Sequence, residues 1–196
     1  MQVVFLDRDG TINDDQTGYI KDKENFHLFP YTGEAIRILN NLGYKIIVVT
    51  NQSGIARGYY SVEQLEKVHD YMVTELSKEK ATVDLILYSP FYEEGIVSPY
   101  NIAHDSRKPG SGMFFKALSI FPFQSSQSFM VGDKPEDISF GKKNGLQTIL
   151  VRSGYGSRTW ANHGELEDLP DFVCDNLLSA SYLIQHHNKW KNKHHL

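Results

Sequence analysis

An α/β fold is what this sequence predicts: a Rossmann-like, mostly parallel sheet with helices on both faces. Three observations carry the prediction. Short aliphatic and β-branched runs alternate with longer stretches whose apolar residues recur at helical spacing. Strand–helix alternation of this kind implies crossover connections, and those make neighbouring strands parallel. Third, the residues able to do chemistry follow the apolar runs, where open α/β sheets bind ligands. The chain of 196 residues, 40% hydrophobic and 22% charged, can bury a sizeable core without cross-links.

The elements follow in order. Val3–Leu6 is a buried strand, and Gly33–Leu42 is a helix with apolar residues at 35, 36, 38, 39 and 42. Tyr44–Val49 is a strand. Ser61–Lys80 opens on "SVEQ", a Ser-x-x-Gln capping box, and keeps an apolar stripe through Val62, Leu65, Val68, Met72 and Leu76. Leu85–Ser89 is a third strand, Gly112–Phe121 a helix and Ser128–Val131 a fourth strand. Pro135–Asn144 is a helix with proline in its first turn, Thr148–Val151 a fifth strand and Asn176–His187 a terminal helix. The whole of 1–196 reads as one domain, with the basic, histidine-rich stretch 186–196 as a frayed, solvated tail.

Composition excludes several function classes. No run of eighteen apolar residues offers a membrane span. "MQVVFLDRDG" puts an acidic cluster where a signal peptide needs its apolar centre, so no export signal and a cytoplasmic setting are expected. One cysteine, Cys174, cannot form an intrachain disulfide, in keeping with a reducing compartment. A formal net charge of −4, with no basic stripe interleaved with aromatics, gives no footprint for nucleic acid. A monomer acting on a small molecule is the expectation.

The stretch "FLDRDGTIND", Phe5 to Asp14, sets two aspartates at the end of the first buried run. Desolvating charge there is costly unless something offsets it. Asp7 and Asp9, with Asp133 from the end of the fourth strand, suit a small hard cation such as magnesium, which takes oxygen ligands. An aspartate can also be the nucleophile, forming an aspartyl-phosphate. In that chemistry Asp7 attacks phosphorus, and Asp9 protonates the leaving oxygen and later takes a proton from water. Thr50 and the backbone around Asn51 donate to the phosphoryl group, and Lys108 supplies a point charge. Gly10 lets the chain turn sharply after Asp9. Arg57, in a loop beside this site, is a candidate for holding a second phosphate. A non-enzymatic phospho-acceptor domain would share the acceptor aspartate and magnesium. Asp9 separates the two, because an acid/base beside the nucleophile speeds loss of phosphate.

"DRDGTIN", "TNQSGIARGYY", "RKP" and "VGDKPEDI" resemble the four motifs of the haloacid dehalogenase-like phosphatases. Their spacing is most similar to the D-glycero-D-manno-heptose 1,7-bisphosphate phosphatases, close to the histidinol-phosphate phosphatases. The resemblance runs from about Val3 to Arg152. It implies Asp7 as nucleophile, Asp9 as acid/base, and Thr50 and Lys108 as phosphate binders. Magnesium would be bound by Asp7, Asp133 and the Asp9 backbone carbonyl, with Asp137 just outside those ligands. Arg107 would contact the part of the substrate that is not cleaved. The implied reaction is removal of one phosphate from a heptose bisphosphate in nucleotide-activated heptose supply, for a bacterial surface glycan such as lipopolysaccharide. Histidinol-phosphate hydrolysis is the nearest alternative.

The resemblance breaks at one loop. The subgroup carries Cys-x-His followed by Cys-x-Cys as a zinc site; here those positions read "SPF", Ser89 to Phe91, and "HDS", His104 to Ser106. Only His104 is a zinc ligand by type, and four nitrogen or sulfur ligands are needed, so no structural zinc is expected. Phe91, Tyr92, Tyr100 and Ile102 are expected to pack as an apolar cluster instead. The two places where a cap domain could be inserted, 15–30 and 90–105, hold 16 residues each. An independent core needs roughly 50 residues, so no separate cap domain is predicted and loops choose the substrate.

Overall fold

The computed structural model describes residues 1–15 and 18–194, with side chains as far as residue 187. Strands β1 (Val3–Leu6), β2 (Lys45–Asn51), β3 (Leu85–Ser89), β4 (Phe129–Gly132), β5 (Gln147–Val151) and β6 (Phe172–Cys174) form one sheet in the order β3-β2-β1-β4-β5-β6. Every pairing is parallel. Helices α1 (Thr32–Asn41), α2 (Val62–Lys78), α3 (Gly112–Ile120), α4 (Pro135–Lys143), α5 (Gly156–Ala161) and α6 (Leu177–His194) complete the fold.

Strand alternation shows how the helices divide between the faces. Val4, Leu6, Ile46, Val48, Phe129 and Val131 face one core with Ile36 and Leu39 of α1, Val68 and Met72 of α2, and Leu177 and Ile184 of α6. Their strand neighbours Val3, Phe5, Ile47, Val49 and Met130 face the other, with Phe114 and Ala117 of α3 and Phe140 of α4. A period of two on a sheet with both faces covered leaves β1 apolar at every position and β2 apolar from Ile46 to Val49. Ser61 caps α2 reciprocally with Gln64, as the Ser-x-x-Gln spacing predicts.

Two elements were outside the sequence expectation. β6 has three residues and α5 six, too short for either period to register. α6 carries the backbone through His194, and residues 195 and 196 of the stretch expected to fray lie outside the described residues. Neither glycine nor proline interrupts it, and the His187 ring packs edge-on against Phe129 and Phe172. Between β1 and α1 the described residues hold a single 3-10 turn, Lys23–Asn25, and between β3 and α3 no helix or strand. No additional layer therefore covers the carboxyl edge of the sheet among the described residues.

Candidate active site

β1 lies between β2 and β4, so the first polar residues after these three strands come together at one edge. The Asp7 amide donates to the Val131 carbonyl (2.9 Å), extending the β1–β4 ladder to the aspartate itself. Asp7, Asp133 and Asp137 are all buried, and each offers a carboxylate oxygen within 4.8 Å of the others. Gly10 has φ of +89°, and a Cβ there would collide with the Asp133 carboxylate, so the close approach of the two loops requires glycine.

Lys108 reaches this cluster from the loop before α3. Its Nζ donates to Asp7 Oδ1 at 2.8 Å, to Asp137 Oδ1 at 2.7 Å and to the Val49 carbonyl at 2.7 Å. Burial alone would favour the neutral amine, but Asp137 and Asp7 raise its pKa. Asn51 fixes the backbone there: its Oδ1 accepts from the Lys108 amide and its Nδ2 donates to the Lys108 carbonyl. Lys134 approaches from the other side, with Nζ 3.9 Å from Asp7 Oδ2 and 3.4 Å from the Asp9 carbonyl oxygen. Burial pushes the Asp137 carboxyl up to about 7, with Lys108 opposing and Asp7 adding to the shift. Asp133 is also raised, by burial and by repulsion from Asp7 and Asp137, with Lys134 opposing.

The donor set fits a divalent cation. Asp133 Oδ2 accepts from the Tyr155 amide at 2.8 Å, whereas Asp133 Oδ1 is buried with no hydrogen-bond partner among the described residues. A buried carboxylate oxygen left unmatched beside two further carboxylates suits an ion that prefers oxygen ligands.

Asp9 sits in a separate polar net. Arg8 Nε donates to its Oδ1 at 2.9 Å, and Arg8 Nη2 donates to both carboxylate oxygens at 2.7 Å. Asn13 Nδ2 and Gln52 Nε2 add bonds of 3.1 and 2.9 Å. Burial would raise the Asp9 carboxyl; Arg8, with Asn13, outweighs it and holds the group below its ordinary value. Gln52 Nε2 also donates to Thr50 Oγ1 (2.8 Å), which leaves the threonine's own hydrogen free to donate. Arg8, Gln52, Lys134 and the half-buried Asp15 were given no role from the sequence. Arg8 carried a signal, because a strand end inside an apolar run must bury a long cation and match it with an acceptor.

A cavity of about 330 Å³ opens onto these groups, lined among others by Asp9, Asp15, Tyr19, Asn51, Arg107 and Lys134. Arg57 does not line it. The Arg57 guanidinium lies 4.0 Å from the Tyr92 ring centroid, and that of Arg107 lies 5.2 Å from the same ring. Tyr92 therefore serves the two arginines rather than an apolar cluster, and Ile102 is exposed. Of the expected cluster, Phe91 and Tyr100 do meet, edge to face.

The four positions that match the subgroup's zinc ligands form one connected set of contacts. Ser106 Oγ donates to Ser89 Oγ at 3.0 Å, His104 Nδ1 lies 2.8 Å from Ser106 Oγ, and the His104 ring stacks on Phe91 at 4.0 Å. Two hydroxyls, one imidazole and a phenyl ring do not fit a structural zinc site.

Comparison with known proteins follows the same lines. A family model described as HAD-hydrolase-like matches residues 106–180. The chain is 42% identical to the D-glycero-beta-D-manno-heptose-1,7-bisphosphate 7-phosphatase of Haemophilus ducreyi, over 90% of this chain and 94% of that protein. It is 37% identical to the enzyme of the same name from Haemophilus influenzae, over 94% and 97%. The crystal structure of D,D-heptose 1,7-bisphosphate phosphatase from B. bronchiseptica, complexed with magnesium and phosphate, superposes with a TM-score of 0.83 at 27% identity, covering 95% of this chain and 99% of that one.

Proposed function

Since the chain belongs to the D-glycero-D-manno-heptose-1,7-bisphosphate 7-phosphatase family of HAD-like hydrolases, we propose that it removes one phosphate from that heptose bisphosphate through an aspartyl-phosphate. The observation that carries this reading is the Asp7 carboxylate at the sheet edge, with Lys108 on Oδ1 and Asp133 and Asp137 behind it. Lys108 engages Oδ1 and leaves Oδ2 for attack. As the Asp7 Oδ2–phosphorus bond forms, the bond from phosphorus to the sugar oxygen breaks, and Asp9, which Arg8 holds ionised in the free protein and which takes a proton from the incoming phosphate monoanion, gives that oxygen the proton. Water then attacks phosphorus, Asp9 takes its proton, and inorganic phosphate leaves as Asp7 is regenerated.

Lys108, Lys134 and the Thr50 hydroxyl stabilise the charge that develops on the phosphoryl oxygens. Asp7, Asp133 and the Asp9 carbonyl would hold magnesium, which neutralises charge on the phosphoryl group and on the acids when bound. Asp137 holds Lys108 in register. Its other oxygen, Oδ2, accepts from the Lys134 amide at 3.0 Å.

Arg107 and Arg57 are assigned to the second, uncleaved phosphate. Arg107 lines the cavity, and Arg57 leans on the same Tyr92 ring beside it, which supports an anion at this rim. The setting on this reading is cytoplasmic supply of activated heptose for lipopolysaccharide, by a monomer with a small sugar substrate and neither nucleic acid nor membrane as partner. No described helix is long and apolar enough to cross a membrane.

The test is phosphate release with magnesium from heptose 1,7-bisphosphate, histidinol phosphate and a 3′-phosphorylated oligonucleotide, with Asp7→Asn as the blank. Preference for the bisphosphate is expected. Preference for either other substrate overturns the substrate assignment, and turnover by Asp7→Asn overturns the nucleophile. Asp9→Asn is expected to accumulate phosphoenzyme, which a non-enzymatic phospho-acceptor would hold without that change.

A further inference from the structure

Arg8 is the largest fully buried side chain among the described residues. A guanidinium carries only donors and stays charged in proteins. Buried in full, each of its faces needs an acceptor, or the desolvation cost of an unmatched cation is incurred. Nε and Nη2 are matched by Asp9. The remaining nitrogen, Nη1, lies 3.1 Å from Nε2 of His69, on the buried side of α2.

That contact fixes the chemistry of the histidine. Arg8 cannot accept, so His69 Nε2 must, and its proton is on Nδ1. Burial and the neighbouring guanidinium both disfavour the imidazolium, pushing the pKa down to about 3. His69 is therefore a neutral acceptor, wedged by the Tyr88 ring at 5.8 Å. It lies 61 residues from Arg8 along the chain and on a different element.

We infer that His69 is a positioning residue for the reaction: by accepting from Arg8 Nη1 it locks the guanidinium plane, and the locked plane presents two nitrogens to Asp9. The inference rests on the reading of Asp9 as the acid/base. His69 touches neither substrate nor reacting atoms. It acts through Arg8, and it determines where the Asp9 carboxylate is held between Arg8, Asn13 and Gln52. A carboxylate displaced by about 1 Å from the path of the proton lowers turnover by up to a hundredfold while leaving binding of the phosphates at Lys108 and the rim untouched.

Three variants test this in the full-length protein with magnesium. His69→Leu keeps the volume and removes the acceptor; kcat is expected to fall about tenfold or more with KM within about twofold. His69→Gln restores an acceptor oxygen and is expected to recover kcat to within about threefold of the parent. In an Asp9→Asn background, His69→Leu is expected to cost nothing further, because the pathway it acts through is already gone. A purely structural role would lower the melting temperature and leave kcat unchanged in the molecules that remain folded; that result, or a further loss of kcat from His69→Leu in the Asp9→Asn background, overturns the inference. If Asp9→Asn itself turns over like the parent, the acid/base reading has failed, and that result is distinct from an unaffected His69→Leu beside an impaired Asp9→Asn.

Discussion

The floor of the site and its rim are built by opposite means. On the floor, Asp7, Lys108, Asp133 and Asp137 are at most 3% exposed, and each is fixed by a charge or an amide from a different segment. At the rim, Arg57 and Arg107 are partly exposed and lean on the face of one tyrosine, while His104 stacks on Phe91. Buried charges compensate one another strongly and cannot be altered singly without exposing the cost of desolvation. Stacked, half-wet side chains are each worth little to the fold. On the proposed function, the floor carries folding and reaction, and the rim carries the choice of substrate.

The sharpest way to break that contrast is Lys108→Met. Two buried carboxylates lose their shared cation, and a loss of about 3 kcal/mol or more in unfolding free energy is expected, with activity abolished. Urea denaturation at pH 8 in a chelator measures it. Unchanged stability would mean that the floor is no more interdependent than the rim.

Magnesium addresses the same contrast from the opposite direction. At a hundredfold excess over its dissociation constant it is expected to stabilise the protein by about 2.7 kcal/mol, read as a rise in melting temperature. Asp133→Asn is expected to abolish the rise. If the rise survives, Asp133 Oδ1 is not a ligand.

A third measurement asks how far the floor's rigidity extends. His69 stays neutral in the folded protein down to about pH 3, whereas in the unfolded chain it takes up its proton near pH 6.5. Between those values the unfolded state holds the additional proton, so stability falls as pH drops below 6.5, by about 1.4 kcal/mol per pH unit. His69→Gln removes this slope. The stability lost between pH 7 and pH 5 is expected to be about 2 kcal/mol smaller than in the parent by denaturant titration.

The smallest effects belong to the rim. Arg57→Ala and Arg107→Ala are each expected to raise KM for the bisphosphate about tenfold, equivalent to about 1.4 kcal/mol, with kcat within about twofold and the melting temperature unchanged. A fall in kcat of the same size would move that arginine from substrate choice to chemistry.

The floor could be read from the chain because its residues are of types that only chemistry or a metal justifies at a strand end. Asp7, Asp9, Lys108 and Asp133 all reach the edge the alternation pattern indicated. The net around Asp9 was less legible. Arg8 hides between two aspartates, and its second partner, His69, belongs to an apolar helix stripe where nothing local marks it as an acceptor. Asn51 was legible as a site residue but not in its manner: its side chain clamps the backbone of Lys108. At the rim, ring stacking depends on loop conformation, which periodicity does not encode, so Tyr92 was expected among apolar neighbours and stands between two cations instead. β6 and α5 are too short to leave a pattern.

The central place of β1 has a consequence for assembly. The strand that leads to Asp7 is made before the others of the sheet, yet its partners on one side come from residues 129–132, and the nearest contact of Asp7 with a cation is 101 residues away in sequence. No amino-terminal fragment ending before residue 137 can contain a complete site. During synthesis β1 must wait, with its acids still hydrated, until Val131 has emerged, and contacts of such long separation make folding slow relative to a helical protein of this size. Catalytic competence in this molecule is thus a late event of folding, so recovered turnover in a refolding experiment reports the closing of the β1–β4 seam.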